Sequence, residues 1–355
     1  VILLRELGIT VPPRLTGAPG SSVVLADGGS VTALFNLPAV IICLAITALL
    51  VIGIRESARA NTTIVIIKVA VLTLFVIVGA RYVNTANLHP FIPPNTGQFG
   101  SFGWSGILRG AGIIFFAYIG FDAVSTASQE AKNPGRDIPI GILVSLAICT
   151  VIYIAVGLVM TGLVPYTKLN VASPIAVAVQ ATGLPWLAPI INIGAICGLS
   201  SVILVNLLAQ SRIFYSMSRD GLLPPLFARL HPRFRTPHIT TAITGLVVAT
   251  AAGLFPIDVL GQLVSMGTLL AFAIVCMGVL ILRRIEPDTP RPFKTPGMPW
   301  VPIFGTLICL YLMSGLPLRT WIRLVVWLAV GLTIYFTYGR FRAASVRDRP
   351  MANAA

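Results

Sequence analysis

Two ionisable side chains lie deep inside apolar stretches of this sequence, where a charge needs a reason. Lys68 stands in Ile64-Val-Ile-Ile-Lys68-Val-Ala-Val, about two turns and roughly 10–12 Å past Ala60 at about 1.5 Å per helical residue. Asp122 closes the stretch Gly110-Ala-Gly112-Ile-Ile-Phe-Phe116-Ala117-Tyr118-Ile119-Gly120-Phe121-Asp122. Ionisable groups at membrane depth are expensive, and they commonly mark solute or proton pathways. Two readings stand for Lys68. Its stem is long enough to snorkel the ammonium to the membrane surface; alternatively the ammonium faces the bundle interior, where desolvation lets it release and regain a proton.

The residues before Asp122 have chemistry of their own. Three glycines, a tyrosine and an acid in one apolar run weaken its hydrogen-bond ladder, and the helix is expected to unwind near Ile119 and Gly120. Unwound backbone survives at membrane depth only where it is buried in protein or lines a cavity. A break there ends the first half-helix in carbonyls at its negative end, suited to an ammonium group, and lets Asp122 cap the amides that begin the second half. The plainer readings are that the glycines serve close packing and that Asp122 is only a cap. Ser200 and Ser201, after Gly198, can line a cavity or bond back to their own helix.

Other chemistries find little to work with. Cys43, Cys149, Cys197, Cys276 and Cys309 all fall in apolar runs, without CxxC spacing or an adjacent His, and read as small packing residues. His89, His231 and His238 are spread along loops and a helix start, so no metal site and no cofactor are expected. No P-loop, nucleophile elbow or HExxH pattern is present, so neither an enzyme nor transport driven by the chain's own nucleotide hydrolysis is expected.

The elements that must position these residues follow from composition. Of 355 residues 56% are hydrophobic and 10% charged, with mean hydropathy +0.91, so the bilayer is the solvent. Crossing it takes about 20 apolar residues per helix. Nine such runs occur, at 34–54, 62–80, 106–128, 138–164, 186–216, 238–256, 258–282, 300–316 and 320–338. An all-α polytopic membrane protein is expected, because a β-barrel needs alternating segments whereas these runs are apolar on every side. Assigning the 25 Lys and Arg to alternate loops puts 17 on one side, among them Arg55, Lys132, Arg212, Arg283 and Arg340. That side should be cytoplasmic, with the C-terminus inside a multi-pass protein of the cell membrane. The net charge of +14 is then a topology signal, with weak attraction to anionic lipid, and no nucleic acid partner is expected. The opening Val-Ile-Leu-Leu followed by Arg5 and Glu6 is no cleavable signal, and it reads as the end of a helix that begins upstream.

Several stretches together carry a family likeness. Phe116-Ala-Tyr-Ile-Gly-Phe-Asp122, then Glu130-Ala-Lys-Asn-Pro-Gly-Arg-Asp-Ile-Pro139, then Gln210-Ser-Arg-Ile-Phe-Tyr-Ser-Met-Ser-Arg-Asp-Gly-Leu-Leu-Pro224 with His231-Pro and Thr236-Pro237, resemble the amino acid-polyamine-organocation superfamily of permeases. The likeness is strongest to bacterial relatives of the cationic amino acid transporters. It implies a LeuT-like fold with two inverted five-helix repeats followed by two C-terminal helices, of which this chain holds nine transmembrane helices and lacks the first three. Residues 1–33 would be an external segment after a third helix, 34–82 the last two helices of the first repeat and 83–105 an external loop. Residues 106–282 would form the second repeat, 283–299 a cytoplasmic loop, 300–338 the two C-terminal helices and 339–355 a cytoplasmic tail.

The resemblance also implies roles. Phe116, Ala117, Tyr118 and Ile119 match the unwound strip whose carbonyls hold a substrate ammonium, and Asp122 the acidic position just beyond it. Gly120, Ser200 and Ser201 would line the cavity, and Lys68 matches a lysine that couples transport to protons. The glycine-rich first helix that receives the substrate carboxylate is not in this sequence, so half a binding site is expected and no transport by this chain alone. The implied partners are an amino acid, protons and lipid, and the implied motion is a bundle containing the sixth family helix moving against a scaffold of the fourth and ninth. The rival class is a non-transporting membrane remnant, receptor or subunit that keeps the scaffold.

Overall fold

The computed structural model describes residues 10–24, 29–52, 57–121, 124, 131–171, 173–232, 234 and 236–342. Among them the chain is mostly helical, as its membrane-spanning parts must be where lipid offers backbone groups no hydrogen bonds. The helices are α1 (Leu37–Ile52), α2 (Ser57–Ala80), α3 (Gly103–Ile114), α4 (Pro134–Leu163), α5 (Pro174–Ala181), α6 (Leu187–Arg219), α7 (His238–Leu254), α8 (Ile257–Ile285), α9 (Trp300–Ser314) and α10 (Leu318–Ile334). Five are long and apolar enough to cross a membrane: α2, α4, α6, α8, and α10 with its continuation to Arg342. Three more, α1, α7 and α9, are apolar but only 16, 17 and 15 residues long.

Local chemistry explains where helices stop. Phe255, held extended ahead of Pro256, ends α7 two residues short of the apolar run. Gly221, at φ 79°, ends α6 with its N–H on the Ser218 carbonyl and the Leu222 N–H on that of Met217, the paired closure that favours glycine. The run expected at 106–128 departs most from a single helix, because α3 stops at Ile114. The segment expected as a plain external stretch holds a small antiparallel hairpin, β1 (Ser22–Val24) with β2 (Ser30–Thr32), pairing Ser22 with Thr32.

The chain divides into two compact units, 1–90 with 148–256 and 335–355, and 91–147 with 257–334. In the first, α1 lies along α7, with Gly245 taking Thr47 and Gly253 taking Phe35 and Val40. α2 packs on α6, and the second half of α4 closes over α2, where Val159 meets Gly79. Phe75, Ala178 and Leu187, all fully buried, centre that core. In the second unit α8 packs on α9, α10 and α3 around Met266, Leu269 and Met313.

Candidate functional site

The second unit holds the interrupted helix. Beyond Ile114 the chain tightens into a 3-10 turn over Phe115–Tyr118, Ile119 is extended at φ −63° and ψ 136°, and Gly120 takes φ 127°. The interruption expected near Ile119 and Gly120 is therefore present. Gly120 supplies a backbone angle that other residues rarely adopt. Gly112 answers to the plainer reading: an added Cβ would lie 2.8 Å from the Leu312 carbonyl oxygen, so its role is close approach between α3 and α9. Gly110 faces open space.

A residue that the sequence did not single out holds the break. Ser265, wholly buried on α8, accepts the Phe116 N–H at 3.0 Å and donates to the Ile113 carbonyl at 2.9 Å. Those two backbone groups are three residues apart and would pair directly in a regular 3-10 turn, so the hydroxyl stands inside the ladder. One turn earlier on α8, the Phe116 ring rests on Gly261, where an added Cβ would lie 3.2 Å from Cε1. Phe115 and Phe121, on either side of the strip, both reach the Phe272 ring, at 6.1 and 5.2 Å between centroids. Asp122 lies outside the described residues.

The first unit holds Lys68. The residue is half-buried, and its stem runs against Gly198 of α6, where an added Cβ would lie 3.7 Å from Cδ and 3.8 Å from the lysine Cβ. One turn away, Val71 sits on Gly194, so two glycines spaced by four let α2 and α6 approach closely. The stem thus lies along a protein face. Ser201 is buried and donates to the Gly198 carbonyl at 2.8 Å, the bond back to its own helix. Ser200 beside it is half-buried. Lys68, Gly198 and Ser201 are together in one place, whereas Phe116 to Gly120 belong to the other unit.

At the start of α7 the histidines are closer than their spacing suggests: the His231 and His238 rings meet edge to face at 5.1 Å. Among the described residues no group of three or more His, Cys, Asp or Glu converges as a metal site would require.

A profile of the family described as amino acid permease matches residues 17–339. The chain belongs to the amino acid permease family. As a permease-family chain within the superfamily named above, it is a multi-pass membrane protein. It is 47% identical over 338 residues to the methylthioribose transporter of Bacillus subtilis (strain 168), an overlap of 95% of this chain and 70% of that protein. The branched-chain amino acid permease BcaP of the same organism is 44% identical over 338 residues, with the same two shares. The vacuolar cationic amino acid transporter 4 of Arabidopsis thaliana is 40% identical over 250 residues, covering 70% of this chain and 41% of that protein.

Proposed function

We propose that this permease-family protein carries amino acids across the cell membrane as a proton-coupled secondary transporter of alternating access, with its C-terminus cytoplasmic. The observation that carries the reading is the interrupted helix at Phe115–Gly120, held by a buried hydroxyl from α8. Irregular backbone inside a membrane protein is the common setting for a small charged solute. In this reading the carbonyls of Phe116, Ala117, Tyr118 and Ile119 receive the substrate ammonium. A carbonyl oxygen has two lone pairs, so bonds already made within the protein leave capacity for a ligand. Asp122 adds a negative charge beyond the strip, Gly120 borders the solute there, and Ser200 and Ser201 line a cavity within the first unit. Lys68 exchanges the coupling proton, and the nine apolar runs serve as membrane helices of the inverted-repeat fold.

The relatives frame the choice of substrate. Branched-chain amino acids and methylthioribose differ in one decisive respect, because only the former present an ammonium to the strip. The test is uptake into vesicles holding the complete protein, with labelled leucine, arginine and alanine, and with putrescine and methylthioribose as competitors. Saturable uptake of at least one amino acid is expected, inhibited by other amino acids and little affected by methylthioribose. Uptake no greater than in empty vesicles, or carriage of methylthioribose alone, would overturn the reading.

A further inference from the structure

We infer that Ser265 is the positioning residue of the substrate strip: through its hydroxyl, α8 sets where α3 gives up its helix and so where the carbonyls of Phe116 to Ile119 point. This rests on the reading of that strip as the ammonium site.

An α-helical Phe116 N–H would bond the Gly112 carbonyl, and an α-helical Ile113 carbonyl would receive the N–H of residue 117. In this structure the Ser265 hydroxyl stands in for both partners at once, accepting from Phe116 and donating to Ile113. A hydroxyl does this only as combined donor and acceptor, which alanine cannot imitate and serine does with one rotatable proton. The contact joins residues 149 and 152 positions apart, so the break is imposed from another helix as well as by Gly120.

The rest of that α8 face has the same task. Gly261, Ser265 and Phe272 are spaced by four and seven residues, which puts them on one side of a helix. They meet, in turn, the Phe116 ring, the backbone between Ile113 and Phe116, and the rings of Phe115 and Phe121. Both ends of the irregular stretch therefore lean on one helix. Gln262, next to Gly261, accepts a hydrogen bond from the wholly buried Thr320 of α10 at 3.0 Å, which fixes α8 at that level. A shift of α8 would redirect the strip's carbonyls without any change in the strip's own sequence.

The test compares Ser265→Ala and Ser265→Thr with the unaltered complete protein, by uptake kinetics and by amide hydrogen exchange of the peptide spanning 113–121. Ser265→Ala is expected to raise KM about tenfold with Vmax changed less than about threefold, as loss of ground-state positioning does. Exchange in 113–121 should rise about tenfold, with α9 and α10 unchanged. Ser265→Thr, which keeps the hydroxyl, should recover most of both effects. Should Ser265→Ala fail to fold, Gly261→Ala serves instead, because its Cβ would press the Phe116 ring; it should raise KM about threefold.

The inference stands only if KM and exchange both move. An unchanged KM, unchanged exchange, or exchange that rises equally throughout α8, α9 and α10 would overturn it, and so would an unaltered KM for Gly261→Ala where that variant is the one available. A protein that takes up no amino acid before any substitution sinks the transport reading, and the positioning of substrate with it. Normal uptake together with an indifferent Ser265→Ala sinks the Ser265 role alone.

Discussion

Replacing Lys68 by alanine is expected to abolish pH-driven accumulation of substrate while leaving binding and exchange measurable. A carrier moving one proton with each solute can hold about a tenfold concentration ratio per pH unit across the membrane, since one unit is about 1.4 kcal/mol. Without the exchanging group the ratio should fall to about one, because the remaining carrier only equilibrates its solute. The half-buried stem lies along α6 at Gly198, an ordinary van der Waals contact, so truncation removes a chain from a protein face without a clash. Lys68→Arg separates charge from proton exchange. A guanidinium stays protonated throughout, so this variant keeps the charge and removes the exchange. Both variants should therefore lose accumulation, with solute counterflow preserved at fixed pH. Accumulation that still follows the pH gradient in Lys68→Ala would remove this residue from the coupling step.

Much of this molecule was legible in one dimension, and the reason is lipid. A bilayer demands long uncharged runs, so hydropathy alone located the five described helices long enough to cross it and made Lys68 conspicuous. The runs overestimated α7 and α9, because hydropathy continues through residues such as Phe255 and Pro256 where the backbone does not. The weak place at Ile119 and Gly120 was readable from glycine content. Its three glycines proved unequal, with Gly112 serving a neighbouring helix and Gly120 the backbone angle. Ser265 was not legible. A serine within Leu-Val-Ser-Met-Gly looks like any hydroxyl bonding back to its own helix, and its actual partners are about 150 positions away. Gly194 was not singled out in the sequence either, and only the fold says that the residues lying on Gly194 and Gly198 are Val71 and Lys68.

That last pairing supports the second large effect, expected from Gly194→Ala. An added Cβ at Gly194 would lie 2.6 Å from Val71 Cγ1, 2.9 Å from its Cβ and 3.0 Å from Cγ2. The Val71 Cβ is fixed to the backbone and a valine side chain is stiff at χ1, so no rotamer relieves the overlap. α2 and α6 must separate instead, and overpacking of this kind costs about 1–3 kcal/mol. Lipid provides no hydrophobic force to push the helices back together, since association within the bilayer depends on close packing itself. Gly198 is different: its added Cβ would find Lys68 at 3.7 Å, so Gly198→Ala should stay within about 0.5 kcal/mol. Gly194→Ala should thus lower the unfolding midpoint in detergent and also weaken pH-driven accumulation, because Lys68 is carried on the same helix one turn away. Adding Val71→Ala removes the two methyl groups that collide and leaves only the Cβ overlap at 2.9 Å. The double variant is expected to recover part of both properties, with a coupling of about 0.5 kcal/mol or more between the two sites. Strictly additive losses would mean that α2 and α6 do not meet at this pair, and that the approach holding the Lys68 stem against Gly198 is set elsewhere.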